Sequence, residues 1–217
     1  MSEAPHWLLS KSILLIGGLI VIALLSIILK WFNTSSAPNT MAPPNDDDQQ
    51  SIAEWIKEST YHGESIDELL ALEGSRQNVS ILFAIRNGLQ QKLERQRLSR
   101  EEEYVMAVVA LDAQVNNGGY WQFFINTPEW SLCIAPALTE IGCPVTAEIT
   151  RRAISQLRID DPLTVEKVKK AAAIGPMEGS EKHDTCNTDF FKANEPLLDR
   201  LFDWVKRNHD KIVLGNK

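Results

Sequence analysis

The chain has 217 residues, 44% of them hydrophobic, and a formal charge of -7, which allows one domain with a sizeable core plus an appendage. Much of the acidic excess is local, in the run Asp46, Asp47, Asp48, whereas residues 62–217 mix acids and bases nearly evenly. No basic stripe with interleaved aromatics occurs, which argues against direct binding to DNA or RNA.

A short tail, 1–11, leads into SILLIGGLIVIALLSIIL at 12–29, an uncharged run bounded by Lys11 and Lys30 and followed by Trp31. As a helix it rises roughly 27 Å, about the hydrocarbon thickness of a bilayer. A soluble helix needs a polar face, and this run has none. A secretory signal has a shorter apolar core and a small-residue cleavage site, and Pro38 directly after Ala37 disfavours the nearest candidate cut. The sequence therefore predicts a single-pass transmembrane helix over 12–32, with the membrane as one partner. Lys11 and Lys30 cancel in the positive-inside count, leaving the side of the remaining chain open, with the N-terminal amine tipping it outside the cytoplasm. Residues 33–50, NTSSAPNTMAPPNDDDQQ, are too polar to bury a core and read as a flexible linker spanning roughly 25 Å. The aspartates lack the alternating ligands and glycine of a calcium loop.

From 51 to 217 apolar residues recur at helical intervals: Leu82, Ile85, Leu89 and Leu93; Val108, Leu111 and Val115; Val145, Ile149, Ala153 and Leu157. Ser99 with Glu102 forms a capping box, and Thr127 before Pro128 reads as an N-cap with a first-turn proline. Gly142 followed by Cys143 and Pro144 reads as a helix stop and a new start. Leu197, Leu198, Leu201, Phe202 and Val205 share a face of a last helix. These signals predict an all-α, compact multi-helix domain of six or seven helices over 51–217.

The stretch VNNGGYWQFFINT, residues 115–127, is the most distinctive. Asn116, Asn117, Gly118 and Gly119 end a helix at little steric cost. Tyr120, Trp121, Phe123, Phe124 and Ile125 are then placed to fill the angle between two helices, with Gln122 and Asn126 satisfying backbone groups at the break. A phosphate loop is the rival reading, but its helix-opening Lys and Ser/Thr are missing.

Catalytic signals are sparse. His6, His62, His183 and His209 are scattered, and no HExxH, GxSxG, P-loop or dinucleotide fingerprint occurs. His183, Asp184 and Cys186 lie together in EKHDTCNTD, but Cys–His catalysis needs a third orienting group and spatial adjacency, and a loop after Gly175, Pro176, Gly179 and Ser180 is naturally polar. Cys133, Cys143 and Cys186 lack CxxC spacing, so no zinc site follows, and their odd number leaves any disulfide open. No catalytic residue, metal or cofactor is implied.

VNNGGYWQFFINT followed by ALTEIGCPVTAEITRRAI resembles the core of the bacterial DNA-mimic protein family, a helical domain of otherwise unknown function. The resemblance rests on Asn117, Gly118, Gly119, Tyr120, Gln122, Phe123, Phe124 and Asn126, then Leu138, Ile141, Gly142 and the helix from Pro144, and covers about 101–208. It places the transmembrane span in a bacterial inner membrane. Gln114 stands where the family carries a glutamate. The family's mimicry implies arrayed carboxylates, yet charges here are mixed, and Glu101, Glu102 and Glu103 are also what a helix's first turn favours. The combined reading is a membrane-anchored helical module that binds an unidentified protein partner. The alternatives are a DNA-mimic inhibitor of a DNA-binding protein, an immunity-like protein, and an enzyme with a helical pocket around Tyr120 and Trp121.

Overall fold

The structure, a computed structural model, describes residues 46–174 and 181–215, with side chains for 50–174 and 185–215. The predicted span 12–32 and most of the linker lie outside the described residues, and no described helix is long and apolar enough to cross a membrane. The chain divides into two compact units, 1–52 and 53–217. The described part of the first is the opening of helix α1, Asp46–Ser59. That helix begins within the segment expected to be linker.

Among the described residues the second unit is all-helical, as the apolar periodicity predicts, with one isolated bridge between Glu73 and Arg76. After α1 come α2 (Ile66–Leu70), α3 (Asn78–Leu93) and α4 (Arg100–Asn126). A 3-10 turn, Pro128–Leu132, leads to α5 (Ile134–Glu140) and α6 (Pro144–Ser155). Then follow α7 (Val165–Ile174), α8 (Glu181–Ala193) and α9 (Leu197–Arg207). A second 3-10 turn, His209–Lys211, releases an extended tail.

Helix α4 is the central element. Its first half buries Val105, Val108, Leu111 and Val115 between α3, which contributes Ile81, Leu82, Ile85 and Leu89, and α9, which contributes Leu201, Phe202 and Val205. Tyr104 of α4 packs on Trp204 of α9 with ring centroids 6.1 Å apart. Helix α4 also contacts α7 and α8. Each large side chain fully removed from water contributes about 1.5–3 kcal/mol, so this helix organises most of the core.

The predicted boundaries hold in part. The Ser99–Glu102 capping box is present. At the end of α5, Gly142 adopts φ 90°, its N–H donates to Thr139 O, and the Cys143 N–H donates to Leu138 O. Those two bonds form a Schellman stop, which only a residue tolerant of positive φ completes cheaply. Thr127 departs from expectation: its hydroxyl and its N–H both donate to Phe123 O, so it closes α4 and offers no side-chain cap to the next turn. Helix α6 starts at Cys143 without a side-chain cap, and a distant residue compensates. The Glu195 carboxylate accepts from the N–H groups of Val145 and Thr146 at 3.3 and 2.7 Å. Val145, expected on the buried stripe, is exposed because α6 turns Thr146, Ala147, Ile149, Thr150 and Ala153 inward.

Candidate functional site at the glycine corner

Helix α4 breaks where the two glycines stand. Gly118 has φ -156° and ψ 20°, and Gly119 has φ 76° and ψ -174°, a combination essentially restricted to glycine. The helix resumes at Tyr120, whose N–H is one of the orphan donors of a new helix start. Asn187 of α8 supplies the acceptor, its Oδ1 lying 2.9 Å from the Tyr120 nitrogen. The same amide sits where a Cβ on Gly119 would be. Glycine is therefore demanded twice at position 119, by its backbone angles and by the approach of Asn187.

Behind the break Tyr120, Phe123 and Phe124 are fully buried. Tyr120 packs edge-on against Phe190 at 6.0 Å, and Phe123 and Phe124 meet at 5.6 Å. The Tyr120 hydroxyl lies 2.8 Å from Thr150 Oγ1, and the Thr150 hydroxyl donates to Thr146 O. With the threonine proton committed, the phenol is the donor to Thr150. Burial pushes the phenol's pKa well above its ordinary value, so it stays protonated and keeps that bond. Helix α8 is further held by Arg152 to Asp189 at 2.8 Å and by Gln156 Nε2 to Cys186 Sγ at 3.3 Å. Tyr120, Phe123 and Phe124 are thus taken up by packing and Trp121 is half-buried, while two features depart from the architectural reading. Ile125 points into solvent, 52% exposed. Gln122 and Asn126 bond side chains instead of backbone groups: both donate to Gln114 Oε1, at 2.9 and 2.8 Å. An acceptor at position 114 is what the corner uses, and a glutamate there would present the same kind of acceptor with added charge. Asn117 is half-buried beside the break.

The acidic patch anticipated at the start of α4 is dispersed. Glu101 pairs with Arg100 at 3.1 Å, and Arg100 also reaches Glu140 at 3.2 Å. Glu102 is buried and bonded to Lys92 at 2.7 Å. Burial raises the Glu103 pKa. On the same helix the half-buried Asp112 carboxyl is pushed up to about 6 by desolvation, partly offset by Asn116.

Among the described residues no three His, Cys, Asp or Glu side chains converge to hold a metal. The three cysteines are free, and burial raises all three thiols, Cys133 to about 12 and Cys143 to about 11. A thiol so shifted is a poor nucleophile at neutral pH. The side chains of His183 and Asp184 lie outside the described residues, and His209 binds Asp67 at 2.8 Å, in a different part of the fold. Sequence reasoning missed Asn187 and Lys92. The available signal for Asn187 was slight, a polar residue one turn before Phe190 and Phe191 in a segment read as loop.

A long helix broken at two glycines and re-capped by a neighbouring helix, in a domain that is all-helical among the described residues, defines a class of helical module. The family model described as DMP19-like protein matches residues 96–208, just over half of the chain, and the chain belongs to that DNA-mimic family. The match runs from just before α4 to just after α9, so α1, α2, α3 and the final tail lie outside it. No curated protein and no solved structure matches the chain.

Proposed function

We propose that the protein is a helical interaction module that binds another protein and is held at a bacterial inner membrane by residues 12–32. Membership of the DMP19-like, DNA-mimic family is the observation that carries the protein partner. The tether rests on the uncharged run at 12–29. Contact through apolar groups is favoured over mimicry by the described surface. Carboxylates there alternate with bases, as in Arg100 with Glu101 and Glu140, Arg151 with Glu148, and Lys206 with Glu73 and Asp203. Such pairing interrupts the continuous negative field that a DNA surrogate requires. Phe191, Val145 and Leu132 are meanwhile substantially exposed, and Phe191 is of the aromatic type enriched at protein contacts. A DNA-mimic inhibitor is the second reading, favoured by the family alone.

Carbonate extraction of bacterial membranes tests the tether. The intact chain stays in the pellet, and a fragment of residues 46–217 is soluble and folded. Intact protein in the soluble fraction contradicts the proposal. Affinity capture in mild detergent, with the N-terminal run retained, identifies the partner.

A further inference from the structure

We propose that the seam between α3 and α4 is a binding groove for an extended peptide of the pattern apolar, any, apolar, glycine from a partner protein, and that the chain's own residues 212–215 occupy it in cis as a competitor. The tail Ile212-Val213-Leu214-Gly215 leaves the 3-10 turn in extended form, with Ile212 at φ -112° and ψ 112°. Its side chains alternate as those of a strand do: Ile212 and Leu214 are buried, while Val213 is 60% exposed.

Its backbone is read by fixed groups that any peptide of this shape could meet. The Val213 N–H donates to Glu102 Oε1 at 2.8 Å, and Lys92 Nζ donates to Val213 O at 3.1 Å. One buried ion pair, Lys92 with Glu102, thereby holds both main-chain groups of a single residue. Two residues on, the Gly215 N–H donates to Gly88 O at 3.2 Å, and the Tyr61 hydroxyl donates to Gly215 O at 2.7 Å. Alternate residues bonded through the backbone, with intervening side chains buried, is how an extended peptide is recognised at a sheet edge. Here two helices and a phenol supply the edge. Selectivity for glycine at the last position follows from contact, since a Cβ on Gly215 would lie 2.8 Å from the Lys92 nitrogen and 3.1 Å from Gly88 O.

The groove lies almost wholly outside the family-matched segment: Tyr61, Gly88 and Lys92 precede it, the tail follows it, and Glu102 alone falls inside. Assigning the groove to a partner rests on the reading of the chain as an interaction module. The peptide measurement below concerns the groove alone, so failed partner capture and a failed groove are distinguishable results.

The test uses the chain lacking residues 212–217, kept in detergent, and a fluorescent peptide of sequence DKIVLGNK. Saturable binding to the shortened chain, none to the intact chain, and a loss of about tenfold to a hundredfold on Gly215→Ala or Val213→Pro in the peptide is the expected result. If the shortened chain folds only when peptide is added, that rescue counts as binding. In the intact chain, the Val213 and Gly215 amides should exchange with deuterium well before the slowest amides of α4, because a competitor must leave without global unfolding. A folded shortened chain that ignores the peptide overturns the proposal. So does exchange of those two amides only with the slowest core amides. Concentration-dependent dimers of the intact chain that disappear with the tail would give the groove to a second copy and overturn the assignment to a separate partner.

Discussion

Replacing Gly119 by alanine should be among the most damaging single-methyl changes in the domain. Its φ of 76° and ψ of -174° fall in a region that costs a residue with a Cβ about 1–3 kcal/mol. The added carbon would also lie 2.6 Å from Asn187 Oδ1, so the amide must withdraw. Withdrawal leaves the Tyr120 N–H without its acceptor, and an unpaired buried donor costs about 1–3 kcal/mol more. The sum, about 2–6 kcal/mol, is a large part of the roughly 5–15 kcal/mol by which domains are stable. Gly142→Ala is the control: its φ is 90°, but nothing lies within 4 Å of the added carbon, so only a backbone penalty of about 1–2 kcal/mol applies. Urea unfolding of a fragment of residues 46–217, followed by circular dichroism, gives both values. Combining Gly119→Ala with Asn187→Ala should cost clearly less than the two single changes added together, because the steric conflict is shared. Equal costs for Gly119→Ala and Gly142→Ala, or strict additivity with Asn187→Ala, would refute the reasoning.

Phe124→Ala should destabilise by about 3–5 kcal/mol, whereas Ile125→Ala, one residue on and largely solvated, should change stability by less than about 0.5 kcal/mol; similar melting shifts for the two would contradict the described corner. Glu102→Gln should cost about 2–4 kcal/mol by stranding Lys92, while Glu101→Gln should be close to neutral because its partner is a surface arginine; equal urea midpoints would place Glu102 outside the core. Asp112 has a folded pKa of about 6 against 3.8 when free, so the native state binds the extra proton between those values and its contribution is lost as pH rises through that window. Asp112→Asn should therefore raise stability at pH 7 by about 1–3 kcal/mol and flatten the pH profile between about pH 4 and 6; parallel profiles for the two proteins would show that the carboxyl is not desolvated.

What the sequence makes legible is local. The Gly142–Pro144 stop and start, the Ser99–Glu102 box and the glycine break each depend on residues within five positions of one another, and the structure contains all three. Thr127 failed because Ser/Thr at a junction between helices can serve either neighbour, and here its hydroxyl turns back to Phe123. Val145 failed because periodicity locates a stripe without fixing where its edge meets solvent. The invisible part is long-range. Asn187 caps the broken helix from 67 positions away, and Glu195 caps α6 from about fifty. Glu102 looks like a surface acid of a first turn, yet it is buried by Lys92 and by the Val213 N–H 111 positions on. For that reason neutralising Glu101, Glu102 and Glu103 together tests the fold before it tests any resemblance to DNA.

The most direct measurement of the central claim is the salt dependence of partner capture by the intact chain in mild detergent. An apolar interface holds its partner as salt rises from low to moderate concentration, because its free energy does not come from long-range charge. The account predicts a protein partner retained across that range, unaffected by added duplex DNA, and weakened by Phe191→Ala. Capture of a DNA-binding protein that is lost by moderate salt and released by competing duplex would contradict it and establish mimicry instead.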